Sequence, residues 1–262
     1  MSNLIKLIVN RVLKENWKGL ILSPIMYAFL FSLIVLISAA SPELLTGITR
    51  SSLEKSREQL FDASKNIELW QVFVMVQGMF FLAVITSINA FNISTYTIKE
   101  ELRNNTIEVY LASRLSVKKV GLSIALANSL LSITQYVFLT IFSMLPCLIY
   151  LILWSDTEFA PLTFVITFSF PCLIGLFVSI NVSYICLYYP SILTSELSLG
   201  YRVLRALALA PSIIVLTIIT AIPQIQPIIL AVSISSLTIL IMIVLTWNMD
   251  LALNRSVILN SN

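Results

Sequence analysis

The sequence predicts an all-α integral membrane protein: six transmembrane helices preceded by an amphipathic N-terminal helix in the membrane plane, all one transmembrane domain over residues 1–262. Three observations lead there. Six long stretches hold no Asp, Glu, Lys or Arg; the basic residues gather on alternate connections; and the first 18 residues separate apolar from basic side chains at helical spacing. Composition agrees, at 58% hydrophobic and 11% charged with a mean hydropathy of +0.95. A soluble domain carries roughly 25% charged residues.

Residues 1–18 open the chain. On a helical wheel Leu4, Ile5, Ile8, Val9, Val12 and Leu13 fill one half, and Lys6, Asn10, Arg11, Lys14 and Lys18 fill the other. That pattern suits an interfacial helix with its aliphatic face on the bilayer; a plain basic flank that orients the first span is the alternative. The charge-free stretches then run over 19–40, 70–95, 121–153, 162–189, 206–222 and 228–247. A span needs about 20 apolar residues. The first is too long for the apolar region of a signal peptide, so it reads as a spanning helix.

Residues 41–69 form the one long outer loop, with charges of both signs and two helix starts, at Ser41-Pro42-Glu43 and at Ser52-Leu53-Glu54-Lys55. A solvated cap and an outer gate or partner contact both fit it. Residues 96–120 are the main inner loop, 154–161 is short and acidic, and 190–205 carries Pro190, Glu196, Arg202 and Arg205. The last outer turn is Pro223-Gln224-Ile225-Gln226-Pro227. Pro171 and Pro211 are expected to kink spans four and five.

With the N-terminus inside, twelve of the 16 Lys and Arg residues fall on inner segments. This asymmetry predicts a multi-pass protein of the cytoplasmic membrane with both termini in the cytoplasm. Trp17 and Trp247 then fall at the inner interface and Trp70 and Trp154 at the outer one, where indole rings prefer to lie.

Several kinds of chemistry are missing. There is no histidine, and Cys147, Cys172 and Cys186 lie in apolar stretches with no C-x-x-C among them, so no metal site is expected. None of the 6 glycines belongs to a phosphate loop. No carboxylate lies within a span, which argues against a proton relay or an intramembrane protease. A net charge of +3 is too small and too dispersed for nucleic acid. No catalytic residue emerges, and the chain reads as a non-enzyme.

The inner loop is the most informative segment. It runs Lys99-Glu100-Glu101-Leu102-Arg103-Asn104-Asn105-Thr106-Ile107-Glu108-Val109-Tyr110-Leu111-Ala112-Ser113-Arg114-Leu115-Ser116. Asn105 or Thr106 can cap a short helix, and Ser116 the next one. Ile107, Tyr110 and Leu111 share a face at i, i+3, i+4. A short, partly apolar, charged helix at the cytoplasmic surface is shaped to dock into a groove of another protein.

Here the chain resembles the ABC-2 type transporter permeases, whose loop typically reads acidic residues, Gly-Thr-Leu-Glu, Leu-Leu, then Ser/Thr-Pro and a hydroxyl residue. Glu100 and Glu101 match the acids, Thr106-Ile107-Glu108 matches Thr-Leu-Glu, and Leu111, Ser113, Leu115 and Ser116 match the positions that follow. Asn105 stands where the family has Gly, and Arg114 where it has Pro. Many relatives also carry a re-entrant outer segment between spans five and six, for which only 221–227 is left here.

The resemblance implies a permease subunit of an ATP-driven exporter. Two permease chains, alike or different, would pair, and each would bind one of two cytosolic ATPase subunits, which alone hold ATP and Mg. Glu100, Glu101, Thr106, Ile107, Glu108, Tyr110 and Leu111 would form the coupling contact with that ATPase. A hydrophobic or amphipathic cargo (lipid, drug or peptide) fits the lack of buried charge. The competing functions are an ATP-independent secondary transporter and a non-transporting scaffold or immunity protein; neither needs a docking helix.

One stripe inside the third span stands out. Asn128, Ser132 and Gln135 fall at i, i+4, i+7, with Gly121 and Ala125 on the same face. Buried amides must find partners in lipid. Helix–helix packing through small residues and a face lining the substrate path or the permease–permease contact both fit. Asn89 and Asn92 form a weaker pair of the same kind in span two.

Overall fold

A computed structural model describes residues 2–40, 69–73, 78–112, 115–154 and 161–221, with further residues at 53–54, 57–58 and between 233 and 244. The described residues contain helices and turns and no strand. In chain order the helices are α1 (Ser2–Ala40), α2 (Leu69–Phe73), α3 (Met79–Arg103), α4 (Thr106–Ala112), α5 (Val117–Trp154), α6 (Pro161–Tyr188) and α7 (Leu199–Ala221). A 3-10 turn at Pro190–Leu193 links α6 to α7.

Among the described residues, four segments are long and apolar enough to cross a membrane: Ser2–Ile37, Met79–Arg103, Val117–Leu145 and Ser169–Tyr188. The expected sixth span, 228–247, lies almost wholly outside the described residues, as do most of the 41–69 loop, the 154–161 connection and Trp247. The side chains of Trp70, Trp154 and Cys147 lie outside them as well.

α1 merges two of the expected elements. Its backbone leaves helical geometry at Asn16 (φ −128°, ψ 29°), close to the predicted boundary between interfacial helix and span at 18/19. Asn is suited to this break because its short amide competes for backbone hydrogen bonds. Before the break, Ile8 and Val12 are buried in one apolar cluster with Ile98, Ile107, Val120 and Ile124. The aliphatic face expected to lie on the bilayer is therefore packed largely on the protein itself. After the break, Leu22, Met26, Phe29, Leu30, Leu33 and Ile37 are exposed, an apolar stripe suited to lipid.

α3 is the central helix, with α5, α6 and α7 around it, while α1 packs chiefly along α5. At 25 residues α3 exceeds the roughly 20 that span a bilayer; its charged end, Lys99 to Arg103, projects past the apolar stretch. A second cluster unites Phe31, Val35, Leu82, Ile85, Leu139 and Met144, where the rings of Phe31 and Phe81 stack at 5.5 Å. Pro24, Pro171 and Pro211 lie inside α1, α6 and α7; the expected kinks at Pro171 and Pro211 leave both helices continuous.

Candidate functional site: the inner loop and the polar seam

Between α3 and α5 the chain makes a two-residue turn, a seven-residue helix and a second short link. The Asn104 N–H donates to the Glu100 carbonyl at 3.0 Å and closes α3. Asn105 then takes a positive φ of 54°, a left-handed conformation that Gly adopts freely and Asn tolerates best among the rest. The Asn105 carbonyl accepts from Val109 N–H at 3.2 Å and opens α4. Ser116 caps α5 as expected, its Oγ accepting from the Lys119 N–H at 3.4 Å. Ser113 and Arg114 lie outside the described residues.

The seven residues proposed as coupling contacts divide into two groups. Glu101 is 0% exposed and pairs with the Arg11 guanidinium of α1. The Thr106 hydroxyl lies 2.9 Å from the Glu101 carbonyl and also against its carboxylate, so it donates back to α3 and does not cap α4. Ile107 is buried in the cluster that holds Ile8 and Val12, and Tyr110 and Leu111 pack against it. Burial pushes the Tyr110 phenol above its ordinary pKa, offset in part by Arg11. Glu100 is mostly buried and accepts from Arg103 at 2.8 Å. The helical face Ile107–Tyr110–Leu111, expected to meet another protein, thus meets this one. The outward face of α4 is Asn105, Val109 and Ala112, all exposed, with Val109 61% exposed and Glu108 beside them at intermediate exposure.

The Arg11–Glu101 pair escaped the sequence reading because its members are 90 residues apart. The trace it leaves is local: Arg11 sits near the edge of the polar half of the first helix, beside Ile8 and Val12.

Asn128, Ser132 and Gln135 are all buried. The Asn128 amide donates to Ser183 Oγ of α6 at 2.9 Å. Ser132 Oγ lies 3.3 Å from where a Cβ on Gly175 would sit, and the Thr86 methyl only 2.5 Å from it. At Gly175, α6 therefore approaches both α3 and α5 too closely for any larger residue. Ser94 meets Ser179 at 3.2 Å, and Ser87 meets Ser212 of α7 at 2.7 Å. The stripe, for which helix packing and a path or chain-contact face were both open, belongs to a polar seam within the bundle. Asn128 and Ser132 serve helix contact there. Asn89 is buried near Ser23 at 3.5 Å, while Asn92 is exposed. On α6 this seam was readable as Gly175, Ser179 and Ser183, small residues at four-residue spacing.

Among the described residues no group of His, Cys, Asp and Glu could hold a metal ion. Cys172 and Cys186 are free thiols. In comparisons with known proteins, no family model, curated protein or solved structure matches the chain.

Proposed function

We propose that this chain is the membrane-spanning subunit of an ATP-driven exporter of the ABC-2 kind. It would span the membrane six times with both termini in the cytoplasm: the four apolar segments named above, α7, and residues 228–247. It would pair with a second permease chain and bind a cytosolic ATPase that supplies ATP and Mg. The observation that carries this reading is α4, a seven-residue helix held at the charged end of α3 by Glu101 and Arg11. A rigidly backed short helix is suited to receive force from a docked subunit and to pass it to α1, α3 and α5 together.

The outward face of α4 sets the coupling contact in this reading. Val109, Asn105 and Glu108 would touch the ATPase, while Glu101, Thr106, Ile107, Tyr110 and Leu111 would hold α4 in place from behind. The seam residues Ser87, Ser94, Asn128, Ser132, Ser179, Ser183 and Ser212 are buried and uncharged, and the fully buried Glu101 is already paired with Arg11 at the inner loop, which fits a hydrophobic or amphipathic cargo better than ion coupling along the seam.

The test is purification of the tagged full chain from its native membrane in mild detergent, followed by mass spectrometry. A stoichiometric subunit with a phosphate loop should come with it and be lost with Val109→Asp, with Glu108→Lys uncoupling transport. Purification without such a subunit in several detergents would overturn the proposal and favour the scaffold or secondary-transporter reading.

A further inference from the structure

A cavity of about 530 Å³ opens where the α1 break, the charged end of α3, the turn after α6 and the start of α7 meet. Its polar lining comes from separate elements: Asn16 from α1, Asn92, Thr95, Tyr96 and Lys99 from α3, Glu196 from the turn after α6, and Tyr201 and Arg205 from α7. Two of these groups are cations, one is a carboxylate, and the other five are neutral amides, phenols and a hydroxyl. Lys99 is shared with Glu196 at 3.7 Å. Arg205 has no carboxylate partner among the described residues. Tyr201 is held in place by Phe91, ring to edge at 5.3 Å. With Glu196 offsetting Lys99, the unpaired Arg205 guanidinium leaves the lining one positive charge in excess, and a guanidinium among neutral donors suits a singly charged phosphate diester.

The depth and the rim of the cavity say where the phosphate comes from. Lys99 is the first charge after the apolar stretch 70–95 and Arg205 the last before 206–222, so the cavity lies at headgroup level when those stretches span the bilayer. Its rim is apolar and exposed where Leu197 lines it at 77% exposure; Leu199 and Trp17, two and one residues from the lining positions Leu197 and Asn16, are exposed apolar side chains as well. A soluble phosphate has no use for such a rim, whereas acyl chains do.

We infer that this cavity binds the headgroup phosphate of a glycerophospholipid, with Arg205 and Lys99 on the phosphate and the acyl chains leaving over Leu197 and Leu199. The site does not depend on the transport reading, since it needs no ATPase.

Native mass spectrometry of the full chain in detergent tests it. Phosphatidylglycerol, diacylglycerol of the same acyl chains, and inorganic phosphate are offered separately. Phosphatidylglycerol should be retained and diacylglycerol lost. Removing a charge-assisted hydrogen bond with Arg205→Gln should lower retention by about tenfold. Tyr201→Phe should cause a smaller loss, and Arg202→Gln, exposed on the same helix but outside the cavity, should cause none. If Arg205→Gln does not fold, Tyr201→Phe and Lys99→Gln decide. Equal retention of diacylglycerol, equal losses with Arg202→Gln, or displacement of the lipid by millimolar inorganic phosphate would overturn the inference, the last by assigning the cavity to a free anion.

Discussion

The Arg11 guanidinium meets the Glu101 carboxylate in the interior, tying the first helix to the inner loop across 90 residues of sequence. Glu101 is fully buried and also receives the Thr106 hydroxyl, so one carboxylate joins α1, α3 and α4. A buried pair of this kind adds little net stability, but losing one partner strands the other charge at a cost of about 3–5 kcal/mol. Arg11→Ala should therefore lower the melting temperature of the purified chain sharply. Arg11→Ala with Glu101→Gln should recover much of the loss. A single variant that melts like the wild type would show that the pair is not closed.

Asn105 tests the turn. Its φ of 54° strains any residue with a Cβ, by roughly 1–2 kcal/mol for most. Asn105→Gly should melt at or above the wild-type temperature, and Asn105→Val clearly below it. Equal melting of the two would mean that the turn relaxes at little cost.

Gly175 tests the close approach of α6. A Cβ there would sit 2.5 Å from the Thr86 methyl. That methyl has little freedom to yield, because the Thr86 hydroxyl donates to the Leu82 carbonyl at 2.6 Å. Gly175→Ala should destabilise by about 1–3 kcal/mol. Thr86→Ser, which removes the methyl and keeps the hydroxyl, should restore most of it. Additive effects of the two substitutions would sink the proposed contact.

Asn128 and Ser183 test the polar seam. A double-mutant cycle with Asn128→Ala and Ser183→Ala should give a coupling of about 0.6 kcal/mol and no more than about 1.7. In a background without native cysteines, single cysteines at 128, 132 and 135 should resist a water-soluble maleimide, while one at 109 reacts. Labelling at 128 or 132 would revive a water-lined path along this face.

The loop conformation was readable because its determinants are local. Asn105 can open a short helix, Ser116 can cap the next, and the break before span one fell at Asn16, two residues from its expected place. The orientation of α4 was not readable. Periodicity groups Ile107, Tyr110 and Leu111 on one face but does not say whether that face meets a partner or its own protein. The same ambiguity hid the seam: an amide stripe on α5 reads alike whether water or Ser183 lies opposite.

Helicity of the described residues, their membrane-scale apolar stretches and the places of the charges were legible in the sequence, because hydropathy and capping act over a few residues. Tertiary structure alone decided that Glu101 belongs to Arg11, that Gly175 admits Thr86, that α4 turns Val109 outward, and that a polar cavity opens beside Arg205. Each of these depends on contacts between residues distant in sequence. Which side chains meet depends on how whole helices pack, and no local pattern records it.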